Sequence, residues 1–266
     1  GEPLPWDPRS NTFEGILTIE VIDRGVLFGH DLDQLGGLTT GRHAFLEFAE
    51  PAGGYVSLSQ NGQVFTFGDV AHHGDVVLEP GTTAVALAAT STGRGYPVVT
   101  SDWRVISFGD APKIGPDLTN LGPGDTPVDI QIDRLGRGYW LFSANGAVVP
   151  VGSVPWFGDA GKLDLASTIV AASVDQLGDG YRLLGGDGGV FSYGAAQFLG
   201  SIPQVLPGQA LQCPIVGLVD SGADGYWLVG CDGGVFAFGK APFVGSLPGL
   251  GVVPRDVAAA AHDRER

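Results

Sequence analysis

The stretch "GYWLVGCDGGVFAFGKAPFVGS", residues 225–246, decides the fold because it has near-copies elsewhere in the chain. "GYRLLGGDGGVFSYGAAQFLGS" occupies residues 180–201, "GYWLFSANGAVVPVGSVPWFGD" residues 138–159, and "GYPVVTSDWRVISFGDAPKIGP" residues 95–116. A pattern that recurs at near-constant spacing is typical of a fold that builds one supersecondary unit several times. The sequence therefore predicts a repeat architecture.

Six units align on shared landmarks, with a period of roughly 42 residues. Each begins with a glycine that opens an apolar strand: Gly15, Gly54, Gly95, Gly138, Gly180 and Gly225. An Asp or Asn then precedes a turn: Asp23, Asn61, Asp102, Asn145, Asp187 and Asp232. A valine starts the next strand: Val26, Val64, Val105, Val148, Val190 and Val235. We name each unit by its opening glycine.

An aromatic-glycine pair closes that strand in five units, and Val151-Gly152 replaces it in the Gly138 unit. A further glycine follows six or seven residues later: Gly36, Gly74, Gly115, Gly158, Gly200 and Gly245. A short fourth strand fits between these two landmarks. Before each opening glycine lies a stretch of small residues, such as "AVALAAT" at 84–90, which suits a crowded axis. Four short strands per unit are typical of a propeller blade.

The sequence therefore predicts an all-β fold, a six-bladed β-propeller. Residues 15–266 form its single domain, with repeats starting near 15, 54, 95, 138, 180 and 225, and residues 1–14 form an irregular N-terminal arm. The last unit ends in "DVAAAAHDRER" without a further opening glycine, which "GILTIEVID" at the N-terminus supplies. We therefore expect Val257–Ala261 to pair with Ile16–Val21 and close the ring, which would remove two exposed edges. An open solenoid is the structural alternative.

The totals restrict the possible partners. Of 266 residues, 44 are glycine and 18 proline, and the formal net charge is −15. An acidic surface repels phosphate backbones and anionic lipids, so neither nucleic acid nor an anionic membrane is an expected partner. No apolar run is long enough to span a membrane. The absence of methionine indicates a mature or trimmed segment, as cleavage of a secretion signal would produce.

The two cysteines flank one predicted hairpin. Cys213 precedes the strand "IVGLVD", and Cys231 follows "GYWLVG". If Asp220 pairs with Gly225, Pro214 falls opposite Cys231 and Cys213 lies one position away. This spacing predicts an intrachain disulfide, which would indicate an oxidising compartment. Two buried free thiols are the alternative.

The pattern "GYWLV–DGGVFAFG–APFVGS" resembles a tandem repeat of exported actinobacterial proteins. The resemblance covers roughly residues 15–266 and is closest at 180–246. It implies a repetitive β fold and a secreted or cell-surface location. Its recurring letters are turn glycines, strand valines and packing aromatics, so it implies no particular reaction.

The candidate binding residues are few. Trp103 occupies a turn position where we expect it to be exposed. Asp69 and Asp110 follow equivalent Phe-Gly pairs. In the other units the residues at the position of these aspartates are His30, Ser153, Ala195 and Lys240. His72 and His73 are adjacent, so on a strand they point to opposite faces and do not share a metal. We predict no catalytic residue, metal or cofactor.

Two further sets of residues have structural explanations. The tyrosines Tyr55, Tyr96, Tyr139, Tyr181 and Tyr226 recur in phase with the strands, which favours packing between blades over a sugar-stacking platform. The Asp and Asn residues of the turns are accounted for by turn chemistry. These turns should share a face with the connections between blades, which vary most in length. Variable loops on a constant scaffold are where function usually lies.

Two functions remain open. The first is a non-catalytic extracellular or cell-surface binding or scaffold module that recognises a protein or glycan through its variable inter-blade loops. The second is a glycoside hydrolase or lyase with acidic residues at the central channel. An enzyme of that kind would place two carboxyl groups about 5–10 Å apart in one concave pocket.

Overall fold

The computed structural model describes residues 26–28, 45–49, 54–68, 70–119, 121–175, 177–221, 224–251 and 260–262. In chain order its strands are β1 (Val26–Phe28), β2 (Phe45–Ala49), β3 (Gly54–Leu58), β4 (Val64–Gly68), β5 (Ala84–Leu87), β6 (Gly95–Thr100), β7 (Val105–Gly109), β8 (Pro127–Ile132), β9 (Gly138–Ser143), β10 (Val148–Gly152), β11 (Ile169–Val174), β12 (Gly180–Gly185), β13 (Val190–Gly194), β14 (Ile215–Asp220), β15 (Gly225–Gly230), β16 (Val235–Gly239) and β17 (Ala260–His262). Two short helices are described, α1 (Ile202–Val205) and a 3-10 turn at Pro248–Leu250. The prediction of an all-β fold is confirmed.

Five sheets of three antiparallel strands repeat along the chain. Their orders are β2-β3-β4, β5-β6-β7, β8-β9-β10, β11-β12-β13 and β14-β15-β16. We call the first strand of each sheet the inner strand. In each of these sheets the second strand starts at a predicted glycine, from Gly54 onward, and the third strand starts at a predicted valine. Gly15 lies outside the described residues.

The inner strands lie next to one another. β5 is adjacent to β8, β8 to β11, and β11 to β14, while β17 lies beside both β14 and β2. A bulge interrupts the pairing near the start of β5, β8, β11 and β14. An extra residue at such a point bends the strand and increases its twist. The repeated bulge therefore turns the start of these four inner strands in the same way.

The two chain ends meet in a sheet formed by β1 and β17. Val26 lies opposite His262, and Phe28 lies opposite Ala260. The sequence places the tail against Ile16–Val21, but that segment and residues 257–259 lie outside the described residues. Among the described tail residues, Ala260 and Ala261 pair with Phe28 and Leu27 of β1.

The predicted fourth strand of each unit is wrong for the described residues. After each third strand the chain runs irregularly in what we call the edge segments: 70–76, 111–116, 154–160, 196–202 and 241–247. In four of the five segments a backbone N–H near the end of the segment bonds to the hairpin turn of the same unit. The Val76 N–H, for example, donates to the carbonyl of Gly62 at 2.8 Å. Backbone groups in the middle of these segments bond to the next unit instead, and so form no ladder with their own sheet.

For four of the five edge segments, a buried tyrosine of the following unit bonds to those backbone groups. The Tyr96 hydroxyl donates to the carbonyl of Gly74 and accepts the N–H of His73, both at 3.0 Å. The hydroxyls of Tyr139, Tyr181 and Tyr226 donate in the same way to the carbonyls of Ile114, Gly158 and Gly200. The prediction that the tyrosine column packs between units is confirmed for these four residues. Burial raises the pKa of Tyr139 and Tyr181 to about 12, so these hydroxyls stay protonated.

We call the contact between an edge segment and the unit that follows it the seam, and this contact also explains the glycines of the edge segments. At Gly200 the backbone has φ +132°, and a Cβ would lie 2.6 Å from Cδ1 of Phe238 in the next unit. Tyr193 closes on Gly158 in the same manner. Gly115 has no atom within 4 Å of its Cβ position. Its expected partner is Val151, the residue that breaks the aromatic-glycine pattern. The exception in the sequence thus coincides with an open place in the seam.

The predicted disulfide between Cys213 and Cys231 is confirmed, with Cα atoms 5.6 Å apart. The bulge in β14 shifts the register, so Asp220 pairs with Tyr226 rather than Gly225. The Cys231 N–H nevertheless donates to the carbonyl of Pro214 at 3.0 Å, as the predicted register requires. Among the described residues, no helix is long and apolar enough to cross a membrane.

Gly200→Ala should destabilise the protein by about 1–3 kcal/mol, because alanine there strains a left-handed backbone and meets a buried ring. Gly115→Ala is the matched control and should stay within about 0.5 kcal/mol of the parent protein. Urea unfolding of both variants measures the difference. Equal losses in the two variants would contradict the proposed role of the seam.

Tyr226→Phe should cost about 1–3 kcal/mol, since it leaves the Gly200 carbonyl and the Leu199 N–H without their partner. Tyr193→Phe is the control, because its hydroxyl makes no hydrogen bond within the described part of the chain. Thermal and urea unfolding should show a clear loss only for Tyr226→Phe. An unchanged free energy of unfolding for Tyr226→Phe would contradict a stabilising role for this hydroxyl.

Candidate functional site

The hairpin turns and the connections between units lie on one face, which we call the connection face. The Ala84 N–H donates to the carbonyl of Gln60 at 2.9 Å, and the Ile169 N–H donates to that of Ala144 at 2.9 Å. Each bond joins the turn of one unit to the inner strand of the next. The prediction that turns and connections share a face is therefore confirmed.

A cavity of about 690 Å³ opens on this face, and we call it the connection groove. It lies between the turn of the Gly138 unit, the connection that precedes that unit, and the connection that follows it. Its lining includes Asp125 from the first connection, Asn145 from the turn, and residues from 159 to 168 of the second connection. Sites for small ligands usually have volumes of about 300–1,000 Å³, so the groove is large enough for one.

Asp125 is held rigidly at one wall of the groove. Its Oδ1 accepts the N–H of Thr126 at 2.9 Å and the N–H of Asn145 at 3.2 Å. Its backbone carbonyl accepts the indole N–H of Trp103 at 3.2 Å. These bonds orient the carboxylate, and its Oδ2 accepts no hydrogen bond from the described residues. The oxygen is available to a ligand.

The expectation that Trp103 is an exposed contact residue is wrong. Only 9% of it is exposed, because its ring packs in a core cluster with Ile130 and Tyr139. Its backbone has φ +68°, so it adopts the conformation that glycine takes in the other turns. The connection wraps over the indole and supplies the carbonyl of Asp125. Trp103 therefore supports the groove from beneath.

The second connection brings opposite charges to the groove. Asp159 Oδ1 accepts the N–H of Gly161 at 3.1 Å, which orients that carboxylate. Lys162 is exposed and forms no ion pair with any residue that the structure describes. Leu163, which is 53% exposed, adds an apolar surface. The groove thus offers an ammonium group, two oriented carboxylates, the Asn145 amide and an apolar patch to one ligand.

Asp110 lies at the other end of β7 from Trp103, about 17 Å away for a five-residue strand. Its carboxylate accepts hydrogen bonds from the hydroxyls of Thr90 at 2.9 Å and Thr92 at 2.5 Å. Partial burial opposes ionisation, but these bonds and the charge of Arg94 lower the pKa of Asp110. It therefore stabilises a turn on the face opposite the groove. Its counterpart Asp69 lies outside the described residues.

His72 and His73 are exposed in the first edge segment. His72 Nε2 lies 3.3 Å from Asp75 Oδ1, while His73 contributes its backbone N–H to the tyrosine seam. No group of three or more His, Cys, Asp or Glu side chains suitable for a metal occurs within the described ranges. The described candidates Trp103, Asp110, His72 and His73 are not brought together. The groove residues Asp125, Asp159 and Lys162 were missed, although they lie in connections whose unequal lengths indicated this face.

The alternative function, a glycoside hydrolase or lyase with acidic residues at the central channel, requires carboxyl groups on the inner strands. Asp129 of β8 is 8% exposed. Its Oδ1 accepts the N–H of Ile130 at 2.7 Å, and its Oδ2 accepts the N–H of Ala172 in the next inner strand at 2.8 Å. Burial raises the pKa of Asp129 to about 6, and the three hydrogen bonds it accepts oppose that shift. The carboxylate joins two inner strands and has little access to a substrate.

Two neighbouring turns on the opposite face contrast in charge. Arg137 donates to both carboxylate oxygens of Asp133, at 3.0 and 2.7 Å. In the equivalent turn of the next unit, Asp179 replaces the arginine and lies beside Asp175. Burial and the neighbouring carboxyl group raise the pKa of Asp175. These two carboxyl groups belong to one short turn, and neither lines the connection groove.

The comparisons with known proteins are limited. No family model matches the chain, and no curated protein matches it. Among solved structures, the chain is similar to the β-propeller domain of Cps50 (Swd1) from Myceliophteria thermophila, with 12% sequence identity and a TM-score of 0.43. The match covers 74% of this chain and 65% of that one, so it spans less than two thirds of the known domain.

Asp129→Asn tests the buried carboxyl group. Because folding raises the pKa of Asp129 from 3.8 to about 6, the protonated carboxyl group contributes stability that is fully present below pH 3.8. This contribution is lost as pH rises through 6. The variant should therefore gain about 3 kcal/mol of unfolding free energy relative to the parent protein between pH 4 and pH 7. Urea unfolding across that range measures the change.

Asp133→Asn is the control of opposite sign. Burial opposes its ionisation, but the bonds from Arg137 outweigh burial and lower the pKa of Asp133. That group stabilises the fold above its unfolded pKa, and the contribution is lost as pH falls. The Asp133→Asn variant should therefore lose stability relative to the parent protein as pH rises. Parallel pH profiles for the two variants would contradict both assignments.

Proposed function

We propose that this chain is a closed six-bladed β-propeller that acts as a non-catalytic binding or scaffold module outside the cell. The inner strands β2, β5, β8, β11, β14 and β17 form a succession of neighbours, and β17 lies beside β2. Pairing of β1 with β17 joins the two chain ends. These adjacencies support a ring in preference to an open solenoid, whose two ends would not meet.

The connection groove is the observation that carries the binding function. It is formed by the parts of the chain that differ most between units, on a scaffold that the seam holds rigid. Its polar groups converge on one concavity, as they do in ligand sites, and several have no partner among the described residues. A protein or a glycan at the cell surface is the proposed ligand.

A location outside the cell is supported by the disulfide. Cys213 and Cys231 tie the connection before β14 to the next hairpin turn. Bonds of this kind persist in oxidising environments and are rare in the cytosol. The likeness of the repeat to that of exported actinobacterial proteins favours the same location.

A non-catalytic role is favoured over a glycoside hydrolase or lyase. Two inner-strand acids have described contacts: Asp129 is buried and bonded through both oxygens, and Asp220 at the end of β14 pairs with Arg182. In the groove, Asp125 and Asp159 are each oriented by backbone N–H groups. These bonds give each of the two carboxylates a structural role in its own connection.

Screening the full chain against a glycan array, cell-wall fractions and a peptide library should identify a ligand without turnover. Lys162→Ala should then weaken its binding about tenfold, because a charged hydrogen bond or ion pair is lost. Lys113→Ala is the matched control, since Lys113 is exposed and outside the groove. Hydrolysis of any polysaccharide, or equal effects at both lysines, would overturn the proposal.

A further inference from the structure

Three exposed aromatic side chains occupy the same position in three successive edge segments. Trp156 is 57% exposed, Phe198 is 50% exposed and Phe243 is 62% exposed. Each lies two residues before the glycine of its segment. The equivalent residues of the two preceding described units are His72 and Lys113. Aromatic rings therefore occur on one continuous half of the repeat and not on the other.

Buried polar side chains fix the backbone on both sides of Trp156. The indole N–H of Trp140 donates to the carbonyl of Pro155 at 2.7 Å. The N–H of Phe157 donates to the hydroxyl of Tyr181 in the next unit at 3.1 Å. The ring between these two bonds is thus held on rigid backbone while its surface faces solvent.

Phe198 is fixed by the same arrangement with a different donor. Nε of Arg182 donates to the carbonyl of Gln197 at 2.9 Å, and the N–H of Leu199 donates to the hydroxyl of Tyr226 at 3.3 Å. Arg182 itself is held by Asp220 at 3.2 Å, with 7% of its side chain exposed. The position of this exposed ring is therefore specified as closely as that of Trp156.

The third ring follows the pattern on its N-terminal side. The indole N–H of Trp227 donates to the carbonyl of Pro242, directly before Phe243, at 2.8 Å. For Trp156 and Phe198, packing between units does not require the ring, because the neighbouring residues Phe157 and Leu199 pack against the core clusters instead. The residue after Phe243, Val244, is itself 63% exposed. Packing between units therefore does not explain why aromatic rings are exposed at this position.

The spacing and charge select the ligand. Sheets in face-to-face contact lie about 10 Å apart, and the outer edges of three successive sheets diverge from a common axis in the proposed ring. The rings carried by these edges therefore form separate flat surfaces and no single patch. A ligand that contacts all three must present repeated flat apolar faces, as the sugar rings of a polysaccharide do. The net charge of −15 repels polyanions, and the three stacking surfaces are apolar rings, so an uncharged polymer is the ligand that suits them.

We propose that Trp156, Phe198 and Phe243 are three equivalent stacking subsites for an uncharged polysaccharide along the outer edge of the sheets. Each subsite contributes weakly, and the three together give useful affinity because one polymer engages them at once. These subsites are separate from the connection groove and do not depend on the ligand proposed for it.

The full chain is tested for binding to insoluble cellulose, insoluble chitin and soluble laminarin, by depletion and by affinity electrophoresis. At least one should bind the parent protein. Trp156→Ala, Phe198→Ala and Phe243→Ala should each lower that affinity about fivefold, and the triple variant should lower it about a hundredfold. Lys113→Trp adds an aromatic ring at the equivalent position and should raise it.

The control is Leu135→Ala with Leu177→Ala, which removes exposed apolar side chains from equivalent turns on another face and should leave binding unchanged. Circular dichroism and thermal unfolding should match the parent protein for every variant, since the altered side chains are exposed. Binding to none of the three polymers overturns the proposal, as does full binding by the triple variant. A change of oligomeric state on removing the rings, without an effect on polysaccharide binding, also overturns it and identifies a protein contact.

Discussion

The structure depends on a hydrogen bond that crosses from one unit to the unit before it, and four such bonds occur among the described residues. The tyrosine near the start of a second strand is buried, and its hydroxyl donates to a carbonyl in the preceding edge segment, as Tyr181 does to Gly158. The same edge segment is tied to its own turn through Ala160 and Gly146. Each unit therefore needs its neighbour to satisfy its backbone, which makes a chain of such units cooperative. An isolated unit would leave buried polar groups without partners, at a cost of about 1–3 kcal/mol each.

This constraint explains which features the sequence could predict. A turn glycine, an opening glycine or a strand valine is determined locally, so β6, β9, β12 and β15 begin where the repeat places them. The disulfide follows from the hairpin register. The fourth strand could not be predicted in this way, because "VPWFGD" suits a strand as well as an edge segment. The outcome depends on whether Phe157 and Gly158 bond to their own sheet or to Tyr181, and that competition involves two units at once.

Departures from the repeat explain the candidate site. Trp103 stands where four of the other five turns have glycine, and Val151 stands where the third strands of the other units end in an aromatic residue before the glycine. Both changes border the connection before β8, which covers the indole and brings Asp125 to the groove wall. From the sequence, Trp103 could be recognised as exceptional, but its burial depended on a connection whose path no local pattern specifies. Lys162 and Asp159 belong to a connection of the same kind, which is why they were missed.

Repetition and its interruption suit different ligands. A scaffold of near-identical units presents the same chemistry several times, so one asymmetric ligand can distinguish a single place only where the pattern is broken. The connection groove meets that condition, because Asp125 and Lys162 have no counterparts in the other units. A polymer has the opposite requirement, because its repeated units can be bound alike only at equivalent positions of the protein repeat. Trp156, Phe198 and Phe243 meet that one, and the buried donors beneath them keep the three rings in equivalent positions.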